Sequence, residues 1–197
     1  VANYFKEFYF EQALFGTHNL AILNHYSINE EYEPGNDELY LNMGGKSFKN
    51  VLDFLKCNPG YGFGAVFTDV DNDNDLDIYL VNDFGENNEP NQILINQYPK
   101  LDFENKSKEL KLNVGLKSMG VGVGDYNNDS YLDYHVTNIF AGPFMVNRGK
   151  DKSFVNLAPN IGTGINKIEG YKDSKQVIIG WGSLFVDYDH DKDLDLF

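Results

Sequence analysis

The stretch Asp69-Val70-Asp71-Asn72-Asp73-Asn74-Asp75-Leu76-Asp77 carries a carboxylate at every second position and closes on a final aspartate. It returns as Asp125-Tyr126-Asn127-Asn128-Asp129-Ser130-Tyr131-Leu132-Asp133, and again as Asp187-Tyr188-Asp189-His190-Asp191-Lys192-Asp193-Leu194-Asp195. Each run puts oxygen-bearing side chains at loop positions 1, 3, 5 and 9. Calcium takes six to eight hard oxygen ligands at about 2.3–2.6 Å, and a tightly turning loop supplies them from alternate residues. The seventh residue (Asp75, Tyr131 or Asp193) is expected to offer its backbone carbonyl. Left without a cation, so many carboxylates in so short a run repel one another, most strongly at low salt. Three runs in one local context read as a repeated site for up to three structural Ca2+.

The runs begin 56 and 62 residues apart, a period that points to a repeat architecture. Ahead of each lies an expected strand with small residues on one face: Gly62 and Gly64, Ser118 and Gly120, Gly180 and Gly182. Glycine weakens an isolated strand, so its recurrence suggests close approach by another backbone. After each of the first two loops come β-branched and aromatic runs, Ile78–Val81 and Tyr134–Thr137. A third strand is expected at Gln92–Ile95 and Pro143–Val146, and a fourth near Asp102–Glu104 and Ser153–Val155. Short helical turns are expected at Val51–Lys56 and Lys106–Leu110.

Four antiparallel strands per unit, with the acidic loop between the first and second, describe a β-propeller blade. The expected class is all-β, an open arc of about three and a third blades cut from a larger propeller. Residues 1–57 form a degenerate blade, 58–115 and 116–172 two blades with loops, and 173–197 the start of another. In the first, Leu20–Leu23, Glu38–Asn42 and Lys46–Lys49 take the places of strands two to four. Ala13, Phe15 and Thr17 fall at loop positions 1, 3 and 5, so no cation site is expected there.

The frames running from Gly62 through Asp69 and Asp77 to Asn82, and from Gly180 through Asp187 to Asp195, resemble FG-GAP/VCBS repeats, the calcium-loop blades of integrin α-subunit propellers. The tail Glu38-Leu-Tyr-Leu-Asn-Met-Gly-Gly-Lys-Ser-Phe48 is similar to the group that pairs such repeats with an ASPIC/UnbV module, including cartilage acidic proteins. The resemblance implies the ligands Asp69, Asp71, Asp73 and Asp77; Asp125, Asn127, Asp129 and Asp133; and Asp187, Asp189, Asp191 and Asp195. The family favours glycine at position 6, where this chain has Asn74, Ser130 and Lys192. A left-handed backbone strains a Ser or Lys by roughly 1–2 kcal/mol. The second loop has the fewest carboxylates and is expected to bind weakest, the first strongest.

The formal charge of −14 is concentrated: 13 of the 30 acidic residues lie in the three runs. With a sequence pI near 4.5 and no basic stripe, nucleic acid is an unsuitable partner. No apolar run is long enough to span a bilayer as a helix. A single cysteine, Cys57, excludes an internal disulfide framework. An EF-hand needs a bidentate Glu at position 12, where Leu80 and Val136 stand.

His18, His25, His135 and His190 share no metalloprotease or triad spacing, and the Gly120-x-Gly122-x-Gly124 run lies in an expected strand rather than before a helix. The expected function is a calcium-stabilised recognition or adhesion module, not an enzyme, set outside the cell, on its surface or in a periplasm. Its partners would be a protein or glycan and the remaining blades. The alternatives are the propeller of a polysaccharide-active enzyme such as a lyase, or a purely structural segment of a secreted protein.

Overall fold

A computed structural model describes residues 34–149, 153–164 and 179–197. The N-terminal expectations at Leu20–Leu23, at Ala13, Phe15 and Thr17, and at His18 and His25 lie outside these residues.

Two complete four-stranded antiparallel sheets dominate the described residues. The first runs in chain order β3 (Tyr61–Thr68), β4 (Asp77–Asp83), β5 (Gln92–Asn96) and β6 (Phe103–Asn105). The second repeats that meander with β7 (Val121–Gly124), β8 (Asp133–Val136), β9 (Phe144–Asn147) and β10 (Phe154–Asn156). A hairpin of β1 (Tyr40–Asn42) and β2 (Phe48–Asn50) precedes them, in the places expected for strands three and four of the first unit. A hairpin of β11 (Phe185–Val186) and β12 (Asp195–Leu196) follows. Each sheet is the meander of a propeller blade, and the fold is all-β. No described helix is long and apolar enough to cross a membrane.

Strand alternation explains how the sheets stack. Successive residues of a strand face opposite sides, and every residue of β4 is buried, so both faces of the first sheet are covered. Tyr79, Val81, Ile93 and Ile95 face the second sheet and meet its Tyr134, Val136, Met145 and Phe154 in one core. The alternate residues Ile78, Leu80 and Leu94, with Phe103, pack with Leu55 on the opposite side. The second sheet repeats the arrangement, its Phe144 and Val146 meeting Phe185 of the last hairpin. Burying each such side chain is worth about 1.5–3 kcal/mol, so the sheets are held face to face rather than edge to edge.

The first strands of successive units lie closest together. On β7, Val121 and Val123 pack toward the first sheet's core. Gly122 and Gly124 face the third unit, where a methyl on Gly122 would meet Ser183 Oγ at 2.6 Å and one on Gly124 would meet Phe185 Cγ at 2.7 Å. Gly120, just ahead of the strand, is closer still, 2.4 Å from the Trp181 carbonyl by the same construction. The close approach expected of these glycines is therefore real between the second and third units. At Gly182 the space is open, so there the expectation fails.

Two local expectations need correction. Val51–Lys56 contains a short 3-10 turn at Leu52–Phe54, but 106–110 forms only one i→i+4 bond, from Leu110 N to Lys106 O, before Lys111 turns left-handed at φ 60°. The helix that does form after a fourth strand is α1 (Ala158–Ile161), with proline in its first turn and Gly162 closing it at φ 86°. Strand one of the second unit begins at Val121, so Ser118 precedes it as a buried loop residue.

Candidate metal centre

The three acidic loops share one backbone path, fixed by three hydrogen bonds common to all. The position-1 carboxylate reaches forward: Asp69 Oδ2 accepts from Asn74 N at 3.1 Å, Asp125 Oδ2 from Ser130 N at 2.8 Å, and Asp187 Oδ2 from Lys192 N at 3.2 Å. Position 5 caps position 7, with Asp73, Asp129 and Asp191 accepting from Asp75 N, Tyr131 N and Asp193 N at 3.0, 2.9 and 2.9 Å. Position 9 reaches back: Asp77, Asp133 and Asp195 accept from the position-2 amides of Val70, Tyr126 and Tyr188 at 2.9, 3.2 and 3.0 Å. These bonds close each loop on itself between strands one and two.

The backbone meets the sequence at position 6. Asn74, Ser130 and Lys192 have φ of 72°, 70° and 80°, the left-handed region where glycine is easiest. Position 4 is left-handed as well, at Asn72, Asn128 and His190 with φ of 60°, 56° and 64°. Sequence reading missed that second site, although asparagine, the residue other than glycine most at ease there, occupies it twice.

The consequence is convergence. Carboxylate oxygens of Asp69, Asp71 and Asp77 lie within 4.8 Å of one another, as do those of Asp187, Asp189 and Asp195. These are positions 1, 3 and 9. In the second loop position 3 is Asn127, whose amide donates to Asp129 Oδ2 at 2.9 Å while its oxygen accepts from Asp129 N at 3.2 Å. Position 5 stands at the exposed rim in all three loops. At position 7 Tyr131 and Asp193 extend the backbone pattern, while Asp75 Oδ1 is sealed from solvent with no hydrogen-bond partner among the described residues. Asp187 Oδ1 is sealed and unpartnered in the same way, because Asp191 N turns to Asp189 at 3.3 Å. In the first two loops the matching oxygen is satisfied by the position-5 amide.

Position 9 is the buried end of the site. Burial, with Asp71 and Asp75 adding negative charge, pushes the Asp77 carboxyl up to about 7 against the N–H groups of Val70 and Asn96. Asp133 is pushed up to about 6 by burial, with Asp129 and Asp125 nearby and the N–H groups of Asn147 and Tyr126 opposing. Burial and then the charges of Asp73, Asp71 and Asp69 raise Asp75. Asp195 is exposed.

Sequence reading also missed the residues that hold position 9 from behind. The last residue of strand three, Asn96 in the first sheet and Asn147 in the second, donates its backbone N–H to Asp77 Oδ1 at 2.9 Å and Asp133 Oδ1 at 2.8 Å. The signal was the recurrent asparagine ending strand three, at Asn42, Asn96 and Asn147. His135 bonds Ser183 Oγ through Nδ1 at 2.9 Å, and burial lowers its pKa.

Residues 69–136, from the first aspartate of the first loop to the end of β8, match the FG-GAP-like repeat family. That stretch is an FG-GAP-like repeat. The matched segment holds the first loop, three strands of the first sheet, and the second loop with its flanking strands, so one full period of the FG-GAP-like repeat lies inside it. The three hydrogen bonds that the third loop shares with the first two extend the same local structure to residues 187–195. No curated protein matches the chain.

The donor set suits a hard divalent cation. Side chains at positions 1, 3, 5 and 9 are all oxygen donors, without a thiolate or imidazole to favour zinc or copper. The sealed oxygens of Asp75 and Asp187, set among converging carboxylates, fit a positively charged partner.

Proposed function

We propose that this FG-GAP-like propeller module binds calcium in its acidic loops and uses the resulting rigid blades to recognise a protein or glycan outside the cell. The observation that carries the reading is the convergence of positions 1, 3 and 9 in one loop conformation. Asp69, Asp71, Asp73 and Asp77 would hold a first ion, with the Asp75 carbonyl. Asp125, Asn127, Asp129 and Asp133 would hold a second, with the Tyr131 carbonyl, and Asp187, Asp189, Asp191 and Asp195 a third, with the Asp193 carbonyl. A bound ion supplies positive charge that neutralises the cluster and ties the ends of strands one and two together. That role is structural, and millimolar extracellular calcium suits it.

The end of the first sheet away from its loop offers a place for a ligand. Asn58 precedes β3, Pro90 precedes β5 and Asn105 ends β6, so these residues gather opposite residues 69–77. They line a cleft of about 500 Å³ with Lys56, Glu89 and Lys106. Its amides, ammonium groups and carboxylates match the hydroxyl and carboxylate groups of acidic glycans. Screening the chain against acidic polysaccharides and matrix proteins, with calcium or with chelator, tests the reading. Calcium-dependent binding without turnover supports it. Appearance of unsaturated sugar products would make the protein a lyase instead.

A further inference from the structure

The buried ends of the first two loops are joined by an unbroken chain of hydrogen bonds. Asp77 Oδ2 accepts from Val70 N at 2.9 Å. The Val70 carbonyl accepts from Asn147 Nδ2 at 3.0 Å, and Asn147 N donates to Asp133 Oδ1 at 2.8 Å. Asp77, Val70, Asn147 and Asp133 are all buried. Gly149 N donates to Asn147 Oδ1 at 3.0 Å, which fixes the side-chain NH2 toward Val70. One asparagine thus holds position 9 of the second loop with its backbone and position 2 of the first with its side chain.

The equivalent residue in the first sheet does not do this. Asn96 N bonds Asp77, but its side chain turns back to Leu76 O of its own loop at 3.2 Å. A shared strand-three asparagine is thus general, and the reach to the neighbouring loop belongs to Asn147. Two exposed bonds run between the same loops and the next: Asn72 Nδ2 donates to Ser130 O at 2.8 Å, and Asn128 Nδ2 to Asp193 Oδ1 at 3.4 Å.

We propose that Asn147 is a positioning residue that couples cation binding in the first loop to cation binding in the second. The inference rests on the calcium reading of the loops. Fixing Asp133 as a ligand fixes the Asn147 backbone, and its amide then holds the Val70 peptide so that its N–H stays aimed at Asp77. Part of the ordering cost of the first loop is met when the second is filled, and by linkage the benefit is reciprocal.

The test follows the Val70 and Tyr126 backbone amides by NMR during a calcium titration of the whole chain, so each loop reports its own midpoint. Crippling the second loop with Asp125→Asn and Asp129→Asn is expected to raise the calcium midpoint at Val70 about fivefold or more. In an Asn147→Ala background, which keeps the backbone bond to Asp133, the same pair is expected to leave that midpoint unmoved. Should Asn147→Ala not fold, Asn147→Ser takes its place. A Val70 midpoint unchanged by the crippled second loop, with Asn147 intact, overturns the coupling. An equal shift with and without the Asn147 side chain overturns its role. A wild-type chain whose Val70 amide ignores calcium overturns the calcium reading itself, a result distinct from both.

Discussion

Replacing Gly120 with alanine tests how tightly the units are stacked. The added methyl would sit 2.4 Å from the Trp181 carbonyl oxygen, with Thr137 Oγ1 at 3.4 Å. Ordinary contact begins near 3.4 Å, so the backbone at Trp181 must retreat by about 1 Å. That obstacle is a carbonyl and not the end of a flexible side chain, and overpacking of this kind costs about 1–3 kcal/mol. Alanine recovers about 0.4–1 kcal/mol through the unfolded chain, so the upper half of the overpacking range leaves a net loss of about 1–2 kcal/mol. For a chain of this length that lowers the melting temperature by roughly 2–8 °C. Gly182→Ala is the matched control: nothing lies within 4 Å of its added methyl, and it is expected to melt at or slightly above wild type. Trp181 is the sole tryptophan and lies at this contact, so its fluorescence reports the interface while circular dichroism reports the sheets. If Gly120→Ala and Gly182→Ala melt together, the close packing of the second unit on the third is refuted.

Three further predictions concern other parts of the core. Tyr134→Phe removes the partner of Thr68 Oγ1, a 2.8 Å bond buried between the two sheets. A loss of about 1–3 kcal/mol in urea unfolding is expected, and a neutral result would show that water reaches Thr68. Burial lowers the His135 pKa in the folded state, so the unfolded chain takes up its proton first as pH falls. Its contribution is complete above about 6.5 and declines as pH falls below that value toward the lowered folded pKa. The stability difference between wild type and His135→Asn should therefore narrow between pH 7 and 5, and a difference flat across that range contradicts the assignment. Burial pushes the Cys57 thiol up to about 11, so the native chain at pH 8 should react with a disulfide reagent on the order of 100-fold more slowly than in denaturant. Equal rates would place the thiol in open solvent.

The parts legible in the sequence were those encoded by short spacing. Alternate aspartates mark the loops because they recur at every second residue, and the β-branched runs after them became β4 and β8 within two residues. Contacts that join distant residues were not legible. Asn96 meets Asp77 from 19 residues away and Asn147 meets Val70 from 77, and no local pattern announces either pairing. The glycines showed that a backbone comes close, but only the stacking reveals that Gly120, Gly122 and Gly124 face Trp181, Ser183 and Phe185 while Val121 and Val123 face the other way. Helix α1 left a local trace in Pro159 and Gly162, too short to stand out beside the strands.

The structure also bears on the expected order of affinities. By carboxylate count the second loop is weakest, yet Asp133 is buried and held by two N–H groups, whereas Asp195 is exposed and held by Tyr188 N. Preorganisation thus favours the second loop over the third, opposing the count. Titrating Asn127→Asp beside wild type separates the two effects: a large gain in calcium affinity says that charge dominates, and little change says that the held geometry does.

If the acidic loops are calcium sites that stabilise the blades, a thermal melt at defined free calcium must show it. Each loop whose dissociation constant lies 100-fold below the free calcium adds about 2.7 kcal/mol. The melting temperature is expected to climb steadily with calcium, to rise less when Asp69→Asn and Asp77→Asn disable the first loop, and to fall back in chelator. A melt that is the same in chelator and in millimolar calcium would contradict it.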